Sequence, residues 1–188
     1  MSEKEEKIQV ENFRKNQGIV KFFIPIGITT SLAFIYFGFH YLPIEVPQGD
    51  LDFTAKLTFT LKWQILNLVP LVVGIILVAH WRFTTQAINP LLGKENDFMK
   101  INIRFLQNTL EQFCIASAVQ LYLSAWLQSR DLKVIPLLCI EFLLARICFL
   151  IGYHIGPAYR SFGFAATLIP NMISCFYCLY CFCFKSKI

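Results

Sequence analysis

The sequence predicts an all-α integral membrane helix bundle with five transmembrane helices. Of its 188 residues, 56% are hydrophobic and only 15% are charged, whereas soluble domains carry about 45–50% apolar and about 25% charged residues. Five apolar runs are long enough, or nearly so, to cross a bilayer, which takes about 20 helical residues. The strands of a membrane barrel are only about ten residues long and alternate in polarity, so these run lengths favour helices.

The five apolar runs follow one another with short polar stretches between them. They cover approximately residues 19–42, 64–82, 105–127, 134–154 and 162–184. Pro25, Pro70 and Pro170 lie inside runs, a position that membrane helices tolerate. The first run is longer than the apolar core of a signal peptide, so we interpret it as an uncleaved anchor. The polar residues 1–18 ahead of it are expected to form a cytosolic tail.

The distribution of Lys and Arg predicts the orientation of the chain. With five spans, ten of these residues lie on the side of the N-terminal tail and six on the other side. Because basic residues accumulate in cytoplasmic loops, we expect a cytosolic N-terminus and a luminal C-terminus. The basic residues are scattered and form no dense cluster that could follow a phosphate backbone, so nucleic acid is not an expected partner.

The seven Cys residues do not suggest a disulfide framework. Most lie inside apolar runs and their number is odd, which is typical of buried, reduced thiols that behave as small hydrophobic groups. Cys175, Cys178, Cys181 and Cys183 are closely spaced, but a helix does not converge four thiolates as zinc and iron–sulfur sites require. No metal site is therefore expected.

Polar residues gather at one edge of the predicted bundle. Arg104, Asn108 and Glu111 open the third run at spacings of four and three, which places them on one helical stripe. Tyr153 ends the fourth run and Arg160 precedes the fifth, so both lie at the same membrane edge. Two guanidinium groups, an amide, a carboxylate and a phenol suit a small zwitterionic peptide, because Arg binds carboxylates in bidentate fashion.

Some of these residues also have a simpler interpretation. Arg104 and Arg160, each taken alone, are expected to anchor the chain at the interface by snorkelling. Glu111 lies one to two turns inside the membrane and needs a partner, which favours a functional role. Glu141 and Arg146 are about 140° apart on an ideal helix, so each is expected to pair with a neighbouring helix or subunit.

The spacing Arg104-x3-Asn108-x2-Glu111, followed by Arg146-x6-Tyr153 and then Arg160, resembles the MAPEG family, the membrane-associated proteins of eicosanoid and glutathione metabolism. The likeness covers residues 63–184, which would form a MAPEG-like four-helix domain. Residues 19–42 would then be an extra N-terminal transmembrane helix. This extra span and the stretch 88–91 ahead of Arg104 look most like the mattrin-type five-span branch of the family.

The resemblance implies a homotrimer that binds glutathione between neighbouring subunits near the cytosolic face. Arg104, Asn108 and Glu111 would contact the tripeptide, and Arg146 and Tyr153 would complete the binding set. Arg160 would be the catalytic residue, since a cation beside the sulfur lowers the pKa of the glutathione thiol.

Two positions depart from the pattern of the family's synthases. Gln112 stands where Tyr often follows the Glu, and Phe149, one turn before Tyr153, cannot form the hydrogen bond of the polar group found there in the family. Both changes are expected to weaken glutathione binding.

Two functions are therefore expected from the resemblance. The first is a glutathione-dependent transferase or peroxidase that acts on lipophilic electrophiles or peroxides from the bilayer, in the endoplasmic reticulum or Golgi. The alternative is a non-catalytic MAPEG-fold membrane protein of the secretory pathway, with a mattrin-like trafficking or structural role.

Overall fold

A computed structural model describes residues 3–47, 49–85, 89 and 95–185. Within these residues the chain forms five α-helices and no β-strand, which confirms the predicted all-α bundle. A short 3-10 turn, Ser129–Asp131, precedes the fourth helix. The helices are α1 Glu3–Tyr41, α2 Phe53–Thr84, α3 Asp97–Trp126, α4 Val134–Ile155 and α5 Ser161–Phe184.

Four of these helices are long and apolar enough to cross a membrane, namely α1, α2, α4 and α5. The third predicted span, which corresponds to α3, is not among these four. Helix α3 is 30 residues long, or about 45 Å at 1.5 Å per residue. Its mean hydropathy is lower because it carries several buried polar residues, among them Asn102, Gln112 and Gln120. These side chains face the other helices, and the chain as a whole is a multi-pass membrane protein.

The helices extend beyond the apolar runs. Helix α1 begins at Glu3 and has 39 residues, about 58 Å, so the polar N-terminal stretch from Glu3 is helical and continuous with the first span. Helix α2 begins at Phe53, ahead of the predicted 64, because the Asp52 side chain accepts a hydrogen bond from the Ala55 amide, 2.9 Å away. Asn96 caps α3 in the same way, and such caps satisfy amides that the helix itself cannot.

Successive helices run in opposite directions, so the bundle has two edges. The site edge contains the starts of α3 and α5 and the end of α4, where Phe23 of α1 packs against Tyr159 with ring centroids 5.6 Å apart. At the far edge, the Lys133 ammonium donates to the Phe39 carbonyl at 2.7 Å, and that of Lys56 donates to the Leu127 carbonyl at 2.8 Å. These two lysines satisfy carbonyls at or just beyond the C-terminal ends of α1 and α3.

The interior combines an apolar core with a buried polar cluster. Gln120 of α3 accepts hydrogen bonds from Asn67 of α2 at 2.9 Å and from Gln64 at 3.3 Å, and the Cys139 thiol of α4 lies 3.4 Å away. Next to this cluster, α2 to α5 meet in the apolar core. Its buried members are Phe59, Val119, Leu123, Leu132, Ile135, Leu138, Cys139 and Cys178.

Helix α1 packs mainly against α5 and α4. At Gly27 a Cβ atom would lie 2.5 Å from the Phe162 carbonyl oxygen of α5, so only glycine permits this close approach of the two backbones. Four residues further on, Ser31 is buried between α1 and its neighbours. The extra helix is therefore docked on the bundle along one face.

The cysteines only partly match their predicted environment. All seven are free thiols, as expected, and Cys139, Cys178 and Cys181 are buried. The expectation of burial is wrong for Cys114, Cys148 and Cys183, which are exposed. An apolar run does not distinguish a side chain that faces the bundle from one that faces lipid, since both surroundings are apolar.

Candidate functional site

A cavity of about 330 Å³ opens at the site edge, where α4 ends and α5 begins. Helices α1, α3, α4 and α5 and the loop between α4 and α5 form its walls. The lining residues are Val20, Ile24, Asn108, Phe149, Pro157, Arg160, Ser161 and Phe164. Two of the predicted site residues, Asn108 and Arg160, thus face the same space.

The loop between α4 and α5 places Arg160 over this cavity. It folds closely onto α4 at Gly152, where a Cβ atom would lie 2.8 Å from the Tyr159 carbonyl oxygen. The Arg160 guanidinium carbon lies 4.6 Å from the centroid of the Tyr153 ring, a distance suited to a cation–π interaction. In the part of the chain that the structure describes, no hydrogen bond is found for this exposed side chain, so its N–H donors are available to an anion.

Asn108 and Arg146 form a second part of the site. The Arg146 guanidinium donates to the Asn108 amide oxygen at 2.8 Å, which fixes the orientation of the amide. The Asn108 NH₂ group therefore remains as the donor that a ligand in the cavity can use.

Arg146 itself lies fully within the bundle, with 0% of the residue exposed. Besides Asn108, it donates to the Thr167 hydroxyl at 3.0 and 2.7 Å and to the Gly163 carbonyl at 3.1 Å. Its guanidinium also packs 4.6 Å from the centroid of the Phe149 ring. The structure therefore places Arg146 behind the cavity wall, where it holds Asn108.

The expected separation of Glu141 and Arg146 is confirmed. Arg146 bonds to α3 and α5, whereas Glu141 accepts a hydrogen bond at 2.9 Å from Ser31 of α1. Each residue thus pairs with a neighbouring helix, in agreement with their angular separation on α4.

Arg104 and Glu111 lie on the outer surface of α3, next to the cavity but not in its wall. Gln107 connects them, since it accepts from Arg104 at 3.3 Å and donates to Glu111 at 3.5 Å. We call Arg104, Gln107 and Glu111 the α3 stripe; all three are exposed. A single chain therefore brings Asn108, Tyr153 and Arg160 together and leaves Arg104 and Glu111 facing outward.

The two departures from the family pattern have structural roles here. Gln112 is buried and accepts a hydrogen bond from Asn171 at 3.3 Å. Phe149 is 1% exposed and packs edge-on against Tyr153, with ring centroids 5.8 Å apart. Both positions contribute packing and helix contacts at the site.

The sequence analysis did not identify Thr167 and Gly163, which hold Arg146. Thr167 also donates to the Gly163 carbonyl at 2.8 Å. The signal in the sequence is a small residue and a Thr four positions later inside an apolar run. By itself that pattern is also typical of ordinary helix packing in membranes. It identifies a binding position for a guanidinium only once Arg146 is known to lie beside it.

Comparison with known proteins assigns this fold to a family. The sequence model of the MAPEG family matches residues 60–180, which include α3, α4 and most of α2 and α5. The chain belongs to the MAPEG family. The resemblance inferred from the polar residues is thereby confirmed, and α1 lies outside the matched region.

Two curated relatives of the chain are known by name. The chain is 23% identical over 146 residues to Transmembrane protein 79, or mattrin, of Mus musculus, an alignment that covers 78% of this chain and 37% of that protein. Against Transmembrane protein 79 of Bos taurus the identity is 24% over 136 residues, covering 72% and 34%. The alignments thus span about a third of the length of these relatives. No solved structure matches the chain.

Proposed function

We propose that this MAPEG protein binds glutathione at the site edge, in the cavity beneath Arg160. The observation that carries the proposal is the convergence of Asn108 and Arg160 on one cavity, with Tyr153 stacked against Arg160. The volume of about 330 Å³ lies at the lower end of the range of about 300–1,000 Å³ found for small-molecule pockets.

The chemistry of the cavity fits a tripeptide with two carboxylates. Arg160 offers free N–H donors to the sulfur of the ligand, and the guanidinium of Arg104, on the outer face of α3, would bind one carboxylate in bidentate fashion. The Asn108 NH₂ group offers a neutral donor about one helical turn away from Glu111 along α3. The carboxylate of Glu111 would accept from the ammonium group of the ligand, provided that the ligand reaches the outer face of α3.

The exposed α3 stripe supports assembly into a homotrimer, as the family resemblance implies. Ionisable side chains in membrane helices are costly against lipid and normally face protein or water. A neighbouring subunit that covers Arg104 and Glu111 would remove this cost and would complete the glutathione site between subunits. The membrane edge that carries the site would be the cytosolic one.

Bound glutathione supplies a nucleophilic sulfur, and Arg160 would hold the sulfur as the thiolate. A cation close to the sulfur lowers the pKa of the thiol and raises the thiolate fraction. In a transferase the thiolate forms a carbon–sulfur bond with a lipophilic electrophile and either expels a leaving group as its anion or breaks an activated double bond, whose carbanion then takes a proton. In a peroxidase it attacks a peroxide oxygen to form the sulfenic acid while the O–O bond breaks and the alkoxide leaves, taking a proton to become the alcohol. The thiol of a second glutathione then displaces water from the sulfenic acid and forms the disulfide.

Isothermal titration calorimetry with glutathione tests this proposal on the full chain in detergent. We expect binding in the micromolar to millimolar range and its loss in both Arg160→Ala and Glu111→Ala. Arg130→Ala is the matched control, because Arg130 is an exposed arginine at the far edge, with 78% of its side chain exposed. Wild-type affinity in Arg160→Ala, or no binding by the folded wild-type protein, would refute the proposal.

The buried state of Phe149 and Gln112 favours a second candidate, a non-catalytic membrane protein of the secretory pathway. Phe149 carries no polar group, and the Gln112 amide oxygen already accepts a hydrogen bond from Asn171. Turnover of 1-chloro-2,4-dinitrobenzene with glutathione separates the two candidates, since only an enzyme would form the conjugate faster than the uncatalysed reaction.

The proposed location in the endoplasmic reticulum or Golgi and the proposed orientation have a separate test. The sequence contains no N-x-[ST] sequon, so glycosylation of a single engineered sequon shows whether that one position lies in the lumen. A sequon placed in the stretch 43–51 should be glycosylated in microsomes, and one placed within the polar residues 1–18 should not.

A further inference from the structure

A second cavity of about 120 Å³ lies between α1, α4 and α5, and it shares no lining residue with the cavity beneath Arg160. Leu144 and Cys148 form part of its wall, and both are exposed on α4. Because these residues lie well inside a membrane-spanning helix, the opening of this cavity faces the hydrocarbon of the bilayer. We call it the lipid-side cavity.

The lipid-side cavity is mainly apolar, and its only charged or ionisable oxygen group among the described residues is one carboxyl group, beside the hydroxyls of Thr30 and Ser31. Phe34, Leu144 and Ala145 contribute to its walls, and Glu141 lines it together with Ser31. Glu141 is 5% exposed and occupies the eighth position of the 22-residue helix α4. A carboxyl group in an apolar membrane interior is costly and normally marks a functional position or has a strong partner.

Within the described residues Glu141 has a single hydrogen-bond partner, and the Arg146 guanidinium adds only a longer-range attraction. Its Oε1 atom accepts a hydrogen bond from the Ser31 hydroxyl at 2.9 Å. The structure gives this carboxyl no other hydrogen bond and no ion pair within the described residues. Since a carboxyl group can accept several hydrogen bonds, Glu141 retains the capacity to accept one more from a group that enters the cavity.

We infer that the lipid-side cavity binds a lipid-soluble ligand that carries a single hydrogen-bond donor, a hydroxyl or an amino group, on a narrow hydrocarbon chain. Glu141 would accept from the donor, and the apolar walls would contact the first carbon atoms of the chain. An engineered cavity of about 150 Å³ holds benzene, so this volume takes the head and the start of a chain while the rest stays in the bilayer. Besides Glu141 the described walls offer only the hydroxyls of Thr30 and Ser31, and the Ser31 hydroxyl already donates to Glu141, so a larger polar head would lack enough partners.

Photolabelling of the full chain in phosphatidylcholine nanodiscs tests this inference. The probe is a long-chain alcohol with a diazirine close to its hydroxyl group, and the labelled peptide is identified by mass spectrometry. We expect labelling within residues 134–155, displaced by dodecanol or by dodecylamine but not by dodecane. The alcohol and the amine arms show which donor the site prefers, and equal displacement by dodecane would overturn the inference.

Two kinds of variant separate a binding site from a lipid-covered surface. Cys148→Phe fills the wall of the cavity without changing Glu141, and Cys114→Phe is its matched control, an exposed membrane cysteine on α3. Glu141→Leu removes the acceptor, whereas Glu141→Gln retains a carbonyl oxygen.

We expect about tenfold less labelling in Cys148→Phe and in Glu141→Leu, because the ligand loses its contacts or its hydrogen bond. Cys114→Phe should label as the wild type does, and Glu141→Gln should label more strongly than Glu141→Leu. Wild-type labelling of Cys148→Phe would overturn the inference and leave the Ser31–Glu141 pair as a link between helices.

Discussion

Replacing Arg146 by Met should destabilise the bundle more than any change on the α3 stripe. The guanidinium makes four hydrogen bonds, at 3.0, 2.8, 3.1 and 2.7 Å, to Asn108, Gly163 and Thr167. At about 0.6 kcal/mol for a hydrogen bond between membrane helices, their loss amounts to about 2.4 kcal/mol. The Asn108 oxygen also loses its donor, so we expect a total of about 3 kcal/mol.

The free energy of unfolding can be measured by titrating the protein with SDS in mixed micelles and following the fluorescence of its three Trp residues. Arg104→Met is the matched control, because Arg104 is exposed and makes one hydrogen bond of 3.3 Å; its cost should stay within about 0.5 kcal/mol. Arg146→Lys keeps the charge but reaches fewer acceptors, and it should fall between the two. If Arg146→Met were as stable as Arg104→Met, the role assigned to this hydrogen-bond network would be wrong.

The same assay checks two further contacts of α1. Gly27→Ala places a Cβ atom 2.5 Å from the Phe162 carbonyl oxygen and should lower the free energy of unfolding by about 1–3 kcal/mol. Gly18→Ala is the control: its new Cβ atom would have no neighbouring atom within 4 Å, so it should stabilise α1 by a few tenths of a kcal/mol or more. Lys133→Met removes the 2.7 Å hydrogen bond to the Phe39 carbonyl and should lower the free energy of unfolding by about 1 kcal/mol. If neither Gly27→Ala nor Lys133→Met lowered the stability, these contacts would not hold α1 in place.

Hydropathy predicts the positions of the helices well but not their ends. The fourth and fifth helices match the predicted runs closely, because their boundaries coincide with the change from apolar to polar residues. Helix α2 starts earlier, since Lys56 resembles a loop residue in the sequence but lies on the helix and reaches the Leu127 carbonyl of α3. A long-range contact of this kind has no local signal.

In the candidate site, too, the sequence predicts what depends on one helix but not what depends on contacts between helices. Helical spacing correctly places Arg104, Asn108 and Glu111 on adjacent parts of α3, because that geometry depends on one helix only. The direction in which each side chain points depends on the neighbouring helices, so the spacing does not show that Asn108 faces Arg160 while Glu111 faces outward. Likewise, a family pattern that includes Arg146 does not reveal that its guanidinium is buried behind the cavity wall.

The docking of α1 has a consequence for the order in which the protein assembles. Ser31 bonds to residues 110 and 135 positions later in the chain, Glu141 and Ala166. When α1 enters the membrane during synthesis, neither partner helix has been made. Helix α1 therefore remains undocked until α4 and α5 have been inserted. A ribosome that stops before residue 134 therefore releases a chain whose first helix lacks its docking surface, exposes the Ser31 hydroxyl to lipid and is a natural target for membrane quality control.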